Sequence, residues 1–258
     1  MKKVAIVTGG ASGLGNAVVR ELADQGLAVA VIDVAIEQGE SLEQEFTQQG
    51  KDLKFIYADV SVQEETRRAA ALVHEHFSRI DYLVNAAGII KREAAVRLQA
   101  DDLRQVLDIN LCGSVFMCQA VQPYMVQSGG GAIVNFASML AHYGSKNLLA
   151  YAASKGGIVQ VTKCLAVEWA EYNIRVNAVS PGYIQTNLSQ GAVGDPVFRE
   201  RILSRTPQGR FGLSGEVASA IQFLLGDHAQ FITGVDLPVD GGILAGDPAL
   251  FPPVPSVK

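Results

Sequence analysis

The chain has 258 residues, 48% of them hydrophobic and 18% charged, so it is long and apolar enough to bury a sizeable core. Its formal net charge is −5 and its sequence has no basic cluster, which argues against nucleic acid or an anionic membrane surface as the main partner. No apolar stretch is long enough to cross a bilayer, and the apolar run that follows Met1 is too short for a signal peptide, so we expect a soluble, cytoplasmic protein.

Short apolar runs alternate with longer amphipathic ones along the chain, which is the pattern of βαβ units around a parallel sheet. The predicted strands are Val4–Thr8, Ala28–Asp33, Leu53–Ala58, Tyr82–Asn85, Ala132–Ala137, Ile174–Val179 and Val235–Val239. The predicted helices are Leu14–Gln25, Glu37–Gln49, Gln63–Phe77, Ala100–Gln127, Leu149–Tyr172 and Ser214–Leu225. The first and fifth strands are continuous apolar runs, as expected where helices cover both faces of a sheet.

These elements predict one α/β domain over residues 1–245, with a single Rossmann-type, doubly wound parallel sheet of about seven strands and helices on both faces. Residues 185–212 are rich in glycine and proline and are expected to form an irregular substrate lid. Residues 246–258 carry four prolines and are expected to form an extended C-terminal tail.

A glycine-rich turn follows the first strand and opens the first helix. Glycine lets the backbone turn sharply and approach a pyrophosphate closely, and the helix N-terminus offers free N–H groups and the positive end of a dipole. The spacing, G-x-x-x-G-x-G, differs from the commoner G-x-G-x-x-G, but its place between a strand and a helix favours dinucleotide binding. The candidate cofactor-binding residues of the turn are Gly9, Ser12, Gly13, Leu14 and Gly15.

Asp33 ends the second predicted strand, eighteen residues after Gly15. A carboxylate there can accept hydrogen bonds from an adenosine ribose and repels the 2′-phosphate of NADP, so NAD is the predicted cofactor. The alternative is that Asp33 only caps the helix that follows.

Tyr151 and Lys155 stand at positions i and i+4 of a predicted helix and therefore share one face. An ammonium beside a phenol favours the phenolate, so we expect Lys155 to lower the pKa of Tyr151. A tyrosine tuned in this way can exchange a proton with a carbonyl or alcohol oxygen. Ser138 lies at the end of the fifth strand, where ligands bind in this architecture, and its hydroxyl could hold the substrate oxygen.

Together these features resemble the short-chain dehydrogenase/reductase family from about Lys3 to Gly242. The matching positions, in chain order, are the glycine turn, Asp59-Val60, Asn85 to Gly88, Asn110, Ser138, Tyr151 to Lys155, Asn177, Pro181-Gly182 and Thr186. Ala86 is a departure, because many members of the family have a second asparagine there.

The resemblance implies that Tyr151 is the acid/base, that Ser138 orients the substrate, and that Lys155 also holds the nicotinamide ribose. It further implies that Asn110 anchors a water of the proton relay and that the protein is a homotetramer. The remaining cofactor contacts implied by the family are Asp59, Val60, Asn85, Gly88, Pro181, Gly182, Ile184 and Thr186.

Local segments indicate the substrate class. Residues 88–92, 137–140 and 205–212 are similar to those of the sugar-acid dehydrogenases, the group of gluconate 5-dehydrogenase and 2-deoxy-D-gluconate 3-dehydrogenase. Arg92 could pair with a substrate carboxylate, and His142 could hydrogen-bond a polar substrate. For both, and for Arg199, Arg201 and Arg205 in the lid, a solvated surface position is the competing interpretation.

The predicted function is therefore an NAD-dependent interconversion of a secondary alcohol and a ketone, with a sugar acid or polyol as the expected substrate. The alternatives are a 3-oxoacyl-carrier-protein reductase, another secondary-alcohol dehydrogenase, or a non-catalytic NAD-binding module. The three cysteines, Cys112, Cys118 and Cys164, match no zinc spacing, and no catalytic metal is expected.

Overall fold

The computed structural model describes residues 2–185 and 195–248 and contains a seven-stranded parallel sheet in the order β3-β2-β1-β4-β5-β6-β7. The strands are β1 (Val4–Thr8), β2 (Ala28–Asp33), β3 (Leu53–Tyr57), β4 (Tyr82–Asn85), β5 (Gly131–Phe136), β6 (Ile174–Pro181) and β7 (Asp236–Val239). The predicted Rossmann-type fold is thereby confirmed. The strand order reverses between β1 and β4, so loops diverge there at the carboxyl edge of the sheet and leave room for a ligand.

Helices cover both faces of the sheet. They are α1 (Gly13–Asp24), α2 (Ile36–Gln48), α3 (Gln63–Phe77), α4 (Ala100–Leu107), α5 (Gly113–Gln127), α6 (Leu149–Glu168), α7 (Pro196–Arg205) and α8 (Ser214–Leu225). Within β1, Ala5 and Val7 pack on the side of α1 and α8, whereas Val4 and Ile6 pack on the side of α3 and α5. Because both sets are buried, the central strands are continuous apolar runs.

The long helix predicted over Ala100–Gln127 is interrupted. The chain forms α4, then a π-helical segment at Asp108–Cys112, then α5. Asn110, in the π segment, bonds through its side chain to the backbone of Ile89. Such insertions are common at functional sites, and this one turns an asparagine side chain toward the loop after β4.

Other boundaries shift by one or two residues in most cases. Helix α6 ends at Glu168 rather than Tyr172, because a 3₁₀ turn at Ala170–Tyr172 and left-handed Asn173 (φ 58°) lead into β6. Strand β6 continues to Pro181, two residues beyond its predicted end.

The prediction that residues 185–212 are irregular is wrong for Pro196–Arg205, which form α7. The side chain of Asp195 accepts hydrogen bonds from the amides of Val197 and Phe198, and Pro196 occupies the first turn. This pair is a strong helix-start signal that the surrounding glycines and prolines obscured. Residues 186–194 lie outside the described residues, as does the tail from residue 249, so the predicted domain limits stay predictions. In the parts of the chain that the structure describes, no helix has the length and apolar character that crossing a membrane requires.

Candidate active site

The glycine-rich turn lies between β1 and α1, at the strand-order reversal. Gly9 (φ 65°) and Gly13 (φ 56°) have the left-handed backbone that favours glycine. A Cβ on Gly15 would lie 2.2 Å from the carbonyl oxygen of Gly9, so a side chain there would disrupt the turn. A Cβ on Gly13 would instead point into open space, and Ser12 caps α1 without a side-chain hydrogen bond to the helix. The turn therefore fits the pyrophosphate of a dinucleotide.

Asp33 serves the structure of this turn directly. Its Oδ2 accepts a hydrogen bond from the amide of Ala11 at 3.0 Å, and its Oδ1 accepts one from Ala35 at 3.1 Å. Ala35 is the residue before α2, so the bond from its amide agrees with the alternative that Asp33 caps the helix that follows. A groove of about 590 Å³ between α1 and α2 adjoins the turn, and its cation, Arg20, pairs with Glu45 through two hydrogen bonds of 2.6 and 2.8 Å.

Several of the expected cofactor contacts have clear structural partners. Asp59 accepts hydrogen bonds from the amide and hydroxyl of Ser61, at 2.9 and 2.7 Å, and Val60 is buried beside Gly113. The Asn85 side chain is buried and donates to Asn135 at 2.9 Å, so it braces β4 against β5. The side chain of Asn85 thus acts inside the sheet, a role that the motif did not indicate.

Residues after β6 line the same edge. The amide of Gly182 donates to Val239 at 3.0 Å, and a Cβ on Gly182 would lie 2.7 Å from the Cα of Asp240. Pro181 ends β6, and Ile184 is buried and bridges to Gly212. Thr186, the last expected cofactor contact, lies outside the described residues.

Ser138, Tyr151 and Lys155 come together where β5 ends against α6. The Ser138 hydroxyl is close enough to the Tyr151 phenol to lower its pKa, and Lys155 Nζ lies 5.7 Å from the centre of the Tyr151 ring. Lys155 is buried and donates to the carbonyl of Phe136 at 2.6 Å. The fold therefore brings together the three residues that the sequence analysis singled out.

The protonation of this cluster is governed by burial. Burial raises the pKa of Tyr151, while the hydrogen bond with Ser138 and the positive charge of Arg92 act to lower it. The net shift is opposite to the one that the Tyr-Lys spacing predicts, because burial is the largest of these effects. Burial also lowers the pKa of Lys155, to about 8.

Asn110 joins the loop after β4 to α6. Its Oδ1 accepts from the amide of Ile89 at 2.8 Å, and its Nδ2 donates to Ile89 O at 2.9 Å and to Ser154 Oγ at 3.1 Å. A Cβ on Gly88 would lie 3.2 Å from Asn110 Oδ1 and 3.8 Å from Lys155 Nζ, so glycine lets this loop approach both side chains. Through these bonds Asn110 fixes one wall of the site.

Two adjacent cations in this loop have different surroundings. Lys91 pairs with Asp102 at 3.1 Å. Arg92 is exposed and close enough to Tyr151 to influence its pKa, and no carboxylate of residues 2–185 or 195–248 pairs with it. Of the two cations, Arg92 is thus the one without a carboxylate partner in the described part of the chain, so it is the candidate to bind a substrate anion.

His142, in the loop after Ser138, contacts other protein side chains through Nε2. The imidazole Nε2 lies 2.7 Å from Asp236 Oδ2 and 3.4 Å from Ser180 Oγ. The ring is therefore engaged with β6 and β7, and one nitrogen is already occupied by protein.

Tyr143 and Tyr183 form an aromatic wall of the site that was not predicted from the sequence. Both pack in the cluster that contains Tyr151, and the guanidinium of Arg205 lies 5.4 Å from the centre of the Tyr143 ring. The positions themselves gave a signal, since Tyr143 follows Ser138 by five residues and Tyr183 follows Gly182. Arg199 and Arg201, also in α7, are exposed.

Comparison with known proteins supports the same family along nearly the whole chain. Residues 9–244 match a family model described as enoyl-(acyl carrier protein) reductase. D-threitol dehydrogenase of Mycolicibacterium smegmatis is 40% identical over 240 residues, which cover 93% of this chain and 92% of that protein. The 3-oxoacyl-[acyl-carrier-protein] reductase of Thermotoga maritima is 38% identical over 242 residues, or 94% of this chain and 98% of that protein.

A solved structure agrees as well. The gluconate 5-dehydrogenase of Burkholderia cenocepacia, crystallised with NADP and tartrate, has a TM-score of 0.92 and 32% sequence identity, over 95% of this chain and 97% of that one. With this fold, this glycine turn and this Ser-Tyr-Lys site, the chain belongs to the short-chain dehydrogenase/reductase family of NAD(P)-dependent oxidoreductases.

Proposed function

We propose that the protein interconverts a secondary alcohol and a ketone on a sugar acid or polyol, with NAD as the preferred cofactor. The observation that carries the reaction type is the Ser138 hydroxyl next to the Tyr151 phenol, with the buried Lys155 beside the Tyr151 ring. A nicotinamide coenzyme, when bound, supplies the acceptor or donor of the hydride.

In this proposal Tyr151 moves the proton. Because its pKa is raised, Tyr151 is protonated at neutral pH and can donate to a carbonyl oxygen during reduction. During alcohol oxidation it takes the hydroxyl proton, and Lys155, charged below about pH 8, favours the phenolate. Ser138 holds the reacting oxygen, and Asn110 keeps the loop at Gly88 in place beside Lys155.

The charges around the end of β2 support the preference for NAD. Asp33 places a carboxylate at the end of β2, and Arg20, the cation of the neighbouring groove, is paired with Glu45. A 2′-phosphate would meet negative charge there, and the described residues that line this groove offer no unpaired cation to bind it. The gluconate 5-dehydrogenase structure, by contrast, holds NADP.

The surroundings of Arg92 support a sugar acid as the substrate. An exposed guanidinium without a carboxylate partner among the described residues, close to the proton-transfer tyrosine, suits the carboxylate of a sugar acid. A neutral polyol is the second candidate, supported by the likeness to D-threitol dehydrogenase, and a 3-oxoacyl-carrier-protein substrate is the third. The homotetramer and the cytoplasmic location remain predictions.

Replacing the proton-transfer residue tests the reaction type. We expect Tyr151→Phe to lower kcat by a factor of about 10² to 10⁴, because general acid–base catalysis contributes on that scale, while NAD affinity measured by fluorescence titration is retained. Tyr172→Phe, at a 41% exposed tyrosine beyond α6, is the control and should keep wild-type turnover. Full turnover in Tyr151→Phe would exclude this role.

Comparing the two neighbouring cations tests the substrate class. A screen of sugar acids and polyols with the wild-type protein, followed by the absorbance of reduced nicotinamide, should identify substrates. Their KM values are then measured for Arg92→Ala and Lys91→Ala. Loss of a charge-assisted hydrogen bond should raise the KM for an acid by about tenfold or more in Arg92→Ala and leave the KM for a neutral polyol unchanged. Lys91→Ala should behave as wild type toward both, since Lys91 pairs with Asp102. Equal KM values for acids in wild type and Arg92→Ala would indicate a solvated surface arginine instead.

Measuring both cofactors tests the argument from Asp33. Wild type should bind NAD about tenfold or more tightly than NADP, and Asp33→Asn, which removes the charge but keeps an acceptor oxygen, should narrow that ratio. Asp101→Asn, an exposed change on α4, controls for net charge. Tighter binding of NADP by wild type would overturn the preference.

The buried amine of Lys155 should leave a signature in stability. Its folded pKa of about 8 is below the ordinary 10.5, so between these values the unfolded chain binds a proton that the folded protein does not. The Lys155 contribution to the free energy of unfolding should therefore rise with pH across that window, by about 3 kcal/mol at most.

Urea unfolding at several pH values between 7 and 10.5 should show this rise in wild type and its absence in Lys155→Met. Lys163→Met, which removes an exposed lysine from the same helix, is the control for loss of one positive charge. Parallel pH profiles for wild type and Lys155→Met would contradict the lowered pKa.

A further inference from the structure

A nearly buried carboxylate stands at the start of β7. The side chain of Asp236 is 6% exposed and accepts a hydrogen bond from Ser180 Oγ of β6 at 2.9 Å. Its other neighbour is His142 Nε2, 2.7 Å from the same oxygen, Oδ2. Oδ1 is buried without a hydrogen-bond partner among the described residues, and within that part of the chain His142 is the only basic group paired with Asp236. The carboxylate therefore depends on His142, because a buried charge is costly unless it is paired.

His142 is joined to Ser138 by a short rigid turn. The amide of Leu140 donates to Ser138 Oγ at 3.1 Å, the amide of Ala141 donates to Ser138 O at 2.8 Å, and the amide of His142 donates to Met139 O at 3.1 Å. These bonds form a 3₁₀ turn over Met139–Ala141, which restricts movement of His142 relative to Ser138. Movement of His142 would be passed on to Ser138.

Ser180 connects the pair of His142 and Asp236 to the end of β6. Ser180, which contacts both Asp236 and His142, directly precedes Pro181 and Gly182, where β6 reaches the site. Ser180 is fully buried, and its pairing places β6 against β7. His142, Asp236 and Ser180 therefore connect the turn after Ser138 with strands β6 and β7.

We infer that His142 is a positioning residue, which acts through Asp236 and Ser180 to hold the Ser138 hydroxyl against Tyr151. This inference rests on the proposed function of Ser138 and Tyr151. In this proposal His142 positions Ser138 and does not contact the substrate, because its Nε2 is directed at Asp236 and Ser180. A displacement of about 1 Å at a catalytic group can cost about 10² in rate, so a tether of this kind acts on kcat.

The test is steady-state kinetics of four variants together with urea unfolding. His142→Ala should lower kcat about tenfold or more and change KM by no more than about twofold, since a positioning contact acts mainly on turnover. His142→Gln should retain most of the turnover, because its amide can donate to Asp236 Oδ2. The double variant His142→Ala/Asp236→Asn removes the unpaired carboxylate, so it should regain stability relative to His142→Ala while kcat stays low. His76→Ala, at an exposed histidine of α3, is the control and should match wild type.

Two kinetic outcomes would overturn the inference. A raised KM with unchanged kcat in His142→Ala would make His142 a substrate contact. Recovery of kcat together with stability in the double variant would assign the loss to general destabilisation.

Hydrogen exchange of residues 137–143, measured without substrate, separates this inference from the proposed function. Exchange should be faster in His142→Ala than in wild type or His76→Ala, because the turn loses its anchor. Unchanged exchange would overturn the tether even in an active enzyme. Faster exchange in a protein that oxidises none of the screened alcohols would uphold the tether and contradict the proposed function.

Discussion

The hydrogen bond from the buried Lys155 ammonium to the carbonyl of Phe136 sets the geometry of the site. Phe136 ends β5, two residues before Ser138, while Lys155 lies one helical turn after Tyr151 on α6. The bond therefore fixes how α6 sits against the end of β5, and with it the distance between the Ser138 and Tyr151 hydroxyls. Burial makes the charge of Lys155 costly, as its lowered pKa indicates, and the same burial keeps water from screening that charge.

The loops at the carboxyl edge of the sheet are held mainly by bonds from side chains to backbone. Asn110 binds both backbone groups of Ile89, Thr8 Oγ1 accepts from the amides of Ala86 and Ala87, and Asp33 accepts from Ala11 and Ala35. Each of these loops leaves a strand at the point where the sheet no longer supplies hydrogen-bond partners. Polar residues of the family motifs thus stabilise the loops that carry the site, whatever they also contribute to cofactor binding.

The fold was accessible from the sequence because its signals are local. The strands and most helices follow from runs and periods of apolar residues, and their bounds differ by one or two residues in most cases. Features that depend on distant partners could not be predicted in this way. The π segment at Asp108–Cys112 accompanies a bond from Asn110 to a loop 21 residues away, and the pairing of His142 with Asp236 spans 94 residues. The direction of the Tyr151 pKa also escaped prediction, because spacing along a helix does not reveal burial.

Arg92 connects substrate recognition with proton transfer in the proposed reaction. Its positive charge acts to lower the pKa of Tyr151, whereas burial raises it. A substrate carboxylate bound to Arg92 would neutralise that charge and so leave the effect of burial less opposed, which favours the protonated tyrosine. A protonated Tyr151 is the form that donates a proton to a carbonyl oxygen, so an acidic keto substrate would favour the protonation state that its own reduction requires. A neutral polyol would leave the Arg92 charge acting on Tyr151, and that condition instead favours the phenolate needed to take a proton from an alcohol.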